Sequence, residues 1–182
     1  MPIIGDEKPF DPAPLLALGI PAVLWGGNHF ADRLPASQSW LTWDKRCADY
    51  SNDQADCEMA WTNLGFPARM FRHVWNGMLR GSESKTPRVH PTQKPVALYK
   101  WIFENYARPG WKILDTHLGS GSSRIAAWDM GLDFYATELD PDYFEAMEKR
   151  FQAHIARPQL FAPSEQYQFK QASIFDAENL GI

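Results

Sequence analysis

Asp115-Thr116-His117-Leu118-Gly119-Ser120-Gly121-Ser122 follows the short apolar run 111–114 without a break, and residues 122–130 then read as a helix that Gly131 stops. Two glycines at the carboxyl end of a strand let the backbone turn sharply enough for its amides to face a ligand. Residues 133–139 give the next strand. Near its end stands Glu138, 23 residues after Asp115, where an acid would hold ribose hydroxyls. Asp140-Pro141 reads as an N-cap with proline at the first helical position, and Phe144, Met147, Phe151 and Ile155 trace a helical stripe behind it. Upstream, Pro95 is expected at a first helical position, with Leu98, Trp101, Ile102 and Tyr106 on one face and an end before Pro109-Gly110. The alternation at 167–174 predicts a last strand. Strand, glycine turn, helix, strand, helix, strand is half of a doubly wound parallel sheet, so the expected fold is α/β and Rossmann-like, with helices on both faces. The turn and its acid suit an adenosine ligand. No Gly-Lys-Ser/Thr closes the turn, which excludes a P-loop, whereas a dinucleotide remains open although Arg124 stands where the third glycine would be.

Composition sets the frame for that half. With 182 residues, 45% hydrophobic and 22% charged, the chain can bury a core, which excludes disordered and collagen-like classes and predicts a single domain over 1–182. Within it, residues 1–89 and 90–182 form two halves. Two cysteines, Cys47 and Cys57, lack any Cys-x-x-Cys, so no metal site or disulfide framework is expected and a reducing, cytoplasmic setting is. The uncharged stretch 12–31 is broken by Pro12, Pro14, Gly19, Pro21, Gly26 and Gly27 and reads as loop, helix and strand, with no membrane span. The first ten residues lack a basic region, and no signal peptide is expected.

In the first half, residues 22–25 and 40–43 read as buried strands and 59–62 and 70–75 as further strands, followed by a loop over 76–88. Trp25, Trp40, Trp43 and Trp61 lie in or at the ends of apolar runs and are assigned to the core. Asn28 and His29, just past a strand end, are site candidates. Charge is uneven: the total is −4, yet residues 69–100 carry a net +6. Phe71 and Trp75 are assigned to the core, and Arg80, Lys85 and Arg88, on the Gly/Ser-rich loop, to contact with a nucleic-acid backbone.

His90-Pro91-Thr92-Gln93-Lys94-Pro95, followed some twenty residues later by Asp115 to Ser123, closely resembles the S-adenosylmethionine-binding motifs of the DNA amino-methyltransferases of the β arrangement. Trp25-Gly26-Gly27-Asn28-His29-Phe30-Ala31-Asp32 and Trp40-Leu41-Thr42-Trp43-Asp44-Lys45-Arg46 resemble the version carried by phages and prophages, described as adenine-specific. The resemblance runs over nearly the whole chain. It implies methyl transfer to the exocyclic amine of a base flipped out of duplex DNA, adenine N6 before cytosine N4. It implies that Asp115, His117, Gly119 and Gly121 form the cofactor turn, that Glu138 is the ribose acid, and that Thr92, Gln93 and Lys94 lie near the methionine end. Lys94 suits that place as a point charge for a carboxylate. Where the family usually has Asp-Pro-Phe, this chain has Asp115-Thr116-His117, so a packing role for the aromatic ring does not carry over.

The family's catalytic Asp-Pro-Pro-Tyr is not found in the sequence, so no catalytic residue is assigned. Asp11-Pro12-Ala13-Pro14 is a look-alike without the aromatic fourth residue. The expectation is a methyltransferase truncated at its N-terminus, lacking one central strand of the sheet and inactive alone, with the missing piece or a second copy as partner. Its rivals are a non-catalytic cofactor- or DNA-binding remnant, one part of a split methyltransferase, and a dinucleotide-dependent oxidoreductase. The 90–95 motif argues against the last.

Overall fold

The structure is a computed structural model that describes residues 3–5, 7–47, 55–76 and 79–158, and the strand expected over 167–174 lies outside them. The chain divides into two compact units, Met1–Ser84 and Lys85–Ile182.

In the first unit the short helix α1, Ala13–Leu16, precedes strands β1, Val23–Trp25; β2, Trp40–Asp44; β3, Cys57–Thr62; and β4, Arg69–Arg72. They form one sheet in the order β1-β3-β2-β4, antiparallel except where β4 lies parallel to β2 with Leu41 opposite Arg69. The period-two pattern of a half-buried strand puts Leu41 and Trp43 of β2 inside, beside Ala60 and Trp61 of β3. Tryptophan is tolerated here because the indole N–H groups find main-chain acceptors: Trp43 donates to the His73 carbonyl (3.0 Å) and Trp61 to that of Pro35 (2.9 Å). Trp25 and Trp40 are half-buried.

Two expectations change at the edge of this sheet. The strand expected over 70–75 breaks after Arg72, and Trp75–Asn76 (β5) pairs instead with Leu79–Arg80 (β6) inside the stretch read as loop. His73 and Trp75 donate their amides to the carbonyls of Asp44, the last residue of β2, and of Lys45 beyond it, so main-chain bonding runs one residue past the end of β2. Trp75 is buried and Phe71 half-buried.

The second unit contains α2, Val96–Tyr106; β7, Lys112–Asp115; α3, Ser122–Asp129; β8, Asp133–Ala136; and α4, Pro141–Ile155. β7 and β8 are parallel, with Asp115 opposite Ala136, and α3 is the crossover between them. Leu118, Ile125, Met147 and Phe151 form a core cluster against which Phe134 and Ala136 pack from β8. Leu114 and Tyr135 point to the opposite face and are exposed.

Helix α2 starts one residue later than expected. Pro95 has the extended ψ of 146° and is the cap, while Leu98, Ile102 and Phe103 are the buried face, and Trp101 and Tyr106 are half-buried. In α4, Phe144 is 49% exposed and the buried line is Tyr143, Met147 and Phe151. The reason is tertiary: the Tyr143 ring meets His90 edge-on at 4.3 Å, a contact that spacing within the helix does not reveal.

The start of α4 follows the expectation, with Asp140 accepting hydrogen bonds from the amides of Asp142 (2.9 Å) and Tyr143 (3.3 Å). Asp140→Ala leaves those amides without the carboxylate and should cost about 1 kcal/mol in urea unfolding, while Asp140→Asn should retain most of it. Equal stability of all three proteins would show that the cap contributes nothing.

Candidate functional site

The site candidates of the second unit converge on the turn from β7 into α3. Asp115 ends the strand and spans the turn: Oδ1 accepts from the His117 amide (3.0 Å), and the Ser123 hydroxyl donates to Oδ2 (2.5 Å). Its carbonyl accepts from the Thr137 amide, while Leu118 donates back to the Thr137 carbonyl, so the pairing of β7 with β8 runs on into the loop. Gly119 and Gly121 take φ of +51° and +73°, the left-handed region that costs other residues about 1 kcal/mol or more. At Gly121 there is no alternative, since an added Cβ would lie 2.3 Å from Cγ of Met147.

Glu138 sits just beyond β8 with both oxygens directed at main-chain amides. Oε2 accepts from Gly119 (2.6 Å) and Oε1 from Asp140 (3.0 Å). A carboxylate has about four acceptor positions, so two remain for hydroxyls of a ligand. Leu139, next in the chain, is 75% exposed, an apolar surface beside the acid that the sequence analysis missed.

The 90–94 segment meets the same turn. The His90 ring is 9% exposed, and an added Cβ at Gly119 would lie 3.4 Å from it. Its Nδ1 accepts from the Thr92 amide (3.3 Å) and lies 3.0 Å from the Thr92 hydroxyl. Gln93 is buried, with Oε1 accepting from the Val89 amide (3.0 Å), so it shapes its own loop. Lys94 is half-buried, and its carbonyl accepts from the Ser122 hydroxyl (2.6 Å). His117 is exposed, with Nδ1 2.9 Å from the Thr116 hydroxyl. Asp115, His117, Gly119, Gly121, Glu138 and the 92–94 segment therefore share one corner, with His90 as the packing residue between them. His90 stood within the quoted motif, but only its contacts reveal that role.

The remaining candidates lie on other segments of the chain. Arg80 belongs to the first unit, its guanidinium 5.8 Å from the Trp75 ring centroid, whereas Lys85 and Arg88 open the second unit and are exposed. Asn28 and His29 are exposed in a single 3-10 turn. Asp11 of the look-alike motif accepts from the Ala13 amide (3.0 Å) at the start of α1. Among the described residues, no helix is long and apolar enough to cross a membrane, and no group of three or more His, Cys, Asp or Glu could hold a metal.

The DNA methylase family matches residues 38–149, more than half of the chain, and the chain belongs to that family of N6/N4 methyltransferases. It is similar to the Type II methyltransferase M2.DpnII of Streptococcus pneumoniae, 32% identical over 85 residues, which are 47% of this chain and 32% of that protein. It is also similar to M2.LlaDCHI of Lactococcus lactis subsp. cremoris, 29% identical over 82 residues, which are 45% of this chain and 30% of that one. The matched region spans about a third of the length of these relatives. A crystal structure of an M1.HpyAVI–SAM complex superimposes with a TM-score of 0.54 at 22% identity, covering 82% of this chain and 85% of that one. The fold is that of a methyltransferase, a mixed α/β arrangement.

Burial holds the imidazole of His90 below its ordinary pKa; Glu138 and Asp140 act against this, and Lys94 and Arg88 with it. The folded ring is thus neutral where an unfolded one takes up a proton. Stability that is fully present above about pH 6.5, the ordinary histidine value, is lost as the pH falls from there towards the lower folded value. His90→Asn, which keeps an acceptor near Nδ1 and cannot titrate, should flatten the decline in melting temperature between pH 7.5 and 5.5. Parallel curves for the two proteins would refute the assignment.

Proposed function

We propose that this chain forms the cofactor-binding part of a DNA amino-methyltransferase that takes S-adenosylmethionine and methylates the exocyclic amine of a flipped base, adenine N6 before cytosine N4. The observation that carries the reading is the Glu138 carboxylate, tied to the Gly119 amide of a two-glycine turn and retaining acceptor capacity. Bound there, the cofactor supplies an electrophilic methyl group on a sulfonium. Glu138 accepts the ribose hydroxyls, and Leu139 offers its exposed side chain to the adenine ring. Gly119 and Gly121 let the main chain approach without a Cβ, while Asp115 holds the turn in shape. Lys94, supported by the loop of Thr92 and Gln93, faces the methionine carboxylate, and His117 lines the rim. Arg80, Lys85 and Arg88 contact the phosphates of double-stranded DNA.

An exocyclic amine is a poor nucleophile because its lone pair is delocalised into the ring, so methylation needs an acceptor for its protons and a face to hold the base. No Asp-Pro-Pro-Tyr stands in this sequence, and Asp11 already accepts from the Ala13 amide at the start of α1. This supports a second element of the reading: these residues need a further piece, or a second copy, to complete the reaction.

Isothermal titration with S-adenosylmethionine tests the cofactor. Glu138→Ala should weaken binding roughly tenfold to a hundredfold, as removal of a charge-assisted acceptor of about 1.5–3 kcal/mol would. Unchanged affinity in a folded variant removes Glu138 from the site, and no binding by the parent chain removes the cofactor. Transfer of labelled methyl to unmethylated duplex DNA tests the second element. The 182-residue chain should be slower, by about 10²-fold or more, than one supplied with an Asp-Pro-Pro-Tyr segment. Full activity of the chain alone, abolished by Asp11→Ala, would instead make Asp11 catalytic.

A further inference from the structure

Helix α4 sends one cation back to the turn. Nη1 of Arg150 donates to the Ser120 carbonyl (2.6 Å) and to the Ser122 hydroxyl (3.0 Å). The Ser122 hydroxyl in turn donates to the Lys94 carbonyl (2.6 Å) and lies 3.1 Å from the Ser120 hydroxyl. Ser120 and Ser122 are 6% and 2% exposed, so these bonds form away from water, where a charge-assisted bond is strongest. A hydroxyl has one proton and two acceptor positions, and Ser122 has a neighbour for each of them.

From this chain of contacts we infer that Arg150 is a positioning residue for the cofactor, acting through Ser122 on Lys94 and through the Ser120 carbonyl on the glycine turn. The inference rests on the cofactor reading given above. The Ser120 carbonyl lies between Gly119 and Gly121, the two residues in the left-handed region, and is the point at which a rotating peptide would carry the turn amides out of place. Arg150 pins it. Lys94 is a flexible point charge, useful against a carboxylate only when its main chain is fixed, and the Ser122 hydroxyl fixes that main chain from the side opposite its own loop. The clamp joins segments that are far apart in sequence, 90–95, 118–123 and α4, by a group that keeps its charge at every working pH.

The experiment compares two ligands on the full chain. S-adenosylmethionine carries the methionine carboxylate, and 5′-methylthioadenosine has the same adenosine without the amino-acid end. Arg150→Met should weaken S-adenosylmethionine by roughly tenfold or more, the loss expected on removing a hydrogen bond to a charged group, and methylthioadenosine by less than about threefold. In the free protein, amide exchange should accelerate over 90–95 and 118–123 and stay unchanged in the buried part of α2. Lys149→Ala, on the exposed side of the same helix and paired with Glu145, should alter neither. Equal losses for the two ligands would make Arg150 a merely structural residue and overturn the inference, as would unchanged affinity for S-adenosylmethionine. Binding by the parent chain with an unchanged ratio in the variant overturns this inference alone, whereas no binding by the parent chain overturns the cofactor reading as well. Arg150→Gln, which removes the cation from these contacts, is read in the same way should Arg150→Met not fold.

Discussion

The bond from the Gly119 amide to Oε2 of Glu138, 2.6 Å long, is the constraint around which the second unit is arranged. It joins the turn after β7 to the second residue after β8, and the other oxygen of the same carboxylate takes the amide of Asp140, whose own side chain caps α4. One side chain therefore sets the distance between two strand ends and the point at which the next helix begins. Such a carboxylate costs desolvation, which hydrogen bonds to its charged form offset. A neutral amide could not take its place, because its NH2 group would face one of the two main-chain N–H donors. Beyond these two amides the carboxylate keeps acceptor positions beside the exposed Leu139, the positions that the proposed reading gives to ribose hydroxyls.

Around that bond the packing leaves little freedom. Gly121 admits no side chain because Met147 occupies the place of its Cβ, and Met147 is fully buried in the cluster with Ile125 and Phe151. His90 fills the space on the Gly119 side and is itself held by Tyr143. The left-handed turn is thus over-determined from two directions, as backbone in an uncommon region must be if it is to persist.

Which parts of this were legible in the sequence depended on whether their chemistry was local. Asp140-Pro141 announces a helix start by itself, and Gly119, Gly121 and Gly131 mark turns whose conformations exclude other residues. The turn and the limits of α3 and α4 followed from these. Tyr143 against Phe144 did not, because the choice depends on His90, a residue of another segment. The β5–β6 pair was missed for a related reason: strands of two residues carry no period, and their position depends on where β2 ends. Pro95 misled by one residue, since its φ of −68° suits both the cap and the first helical turn and only ψ separates them. Arg150 showed nothing in the sequence beyond a charge on a helix, since its role depends on an acceptor 30 residues away.

Polar struts join the apolar packing in holding the helices that carry the turn. Asp129 at the end of α3 binds Nζ of Lys100 from α2 (2.6 Å) and Nε2 of His154 from α4 (2.6 Å), so three helices meet at one carboxylate. Burial raises the pKa of that carboxyl, but the hydrogen bonds from His154 and Lys100 outweigh burial and hold it below the ordinary carboxylate range. At the other side of α3, Arg124 lies over the Phe151 ring, 3.8 Å from its centroid, and pairs with Glu148. Apolar contact of the α4 core line, Tyr143, Met147 and Phe151, is non-directional and does not by itself fix the relative rotation of the helices. Directional bonds at both ends of α3 do so. Because the glycine turn is the direct continuation of α3, the rotation they fix is the orientation of the amides that a cofactor would meet.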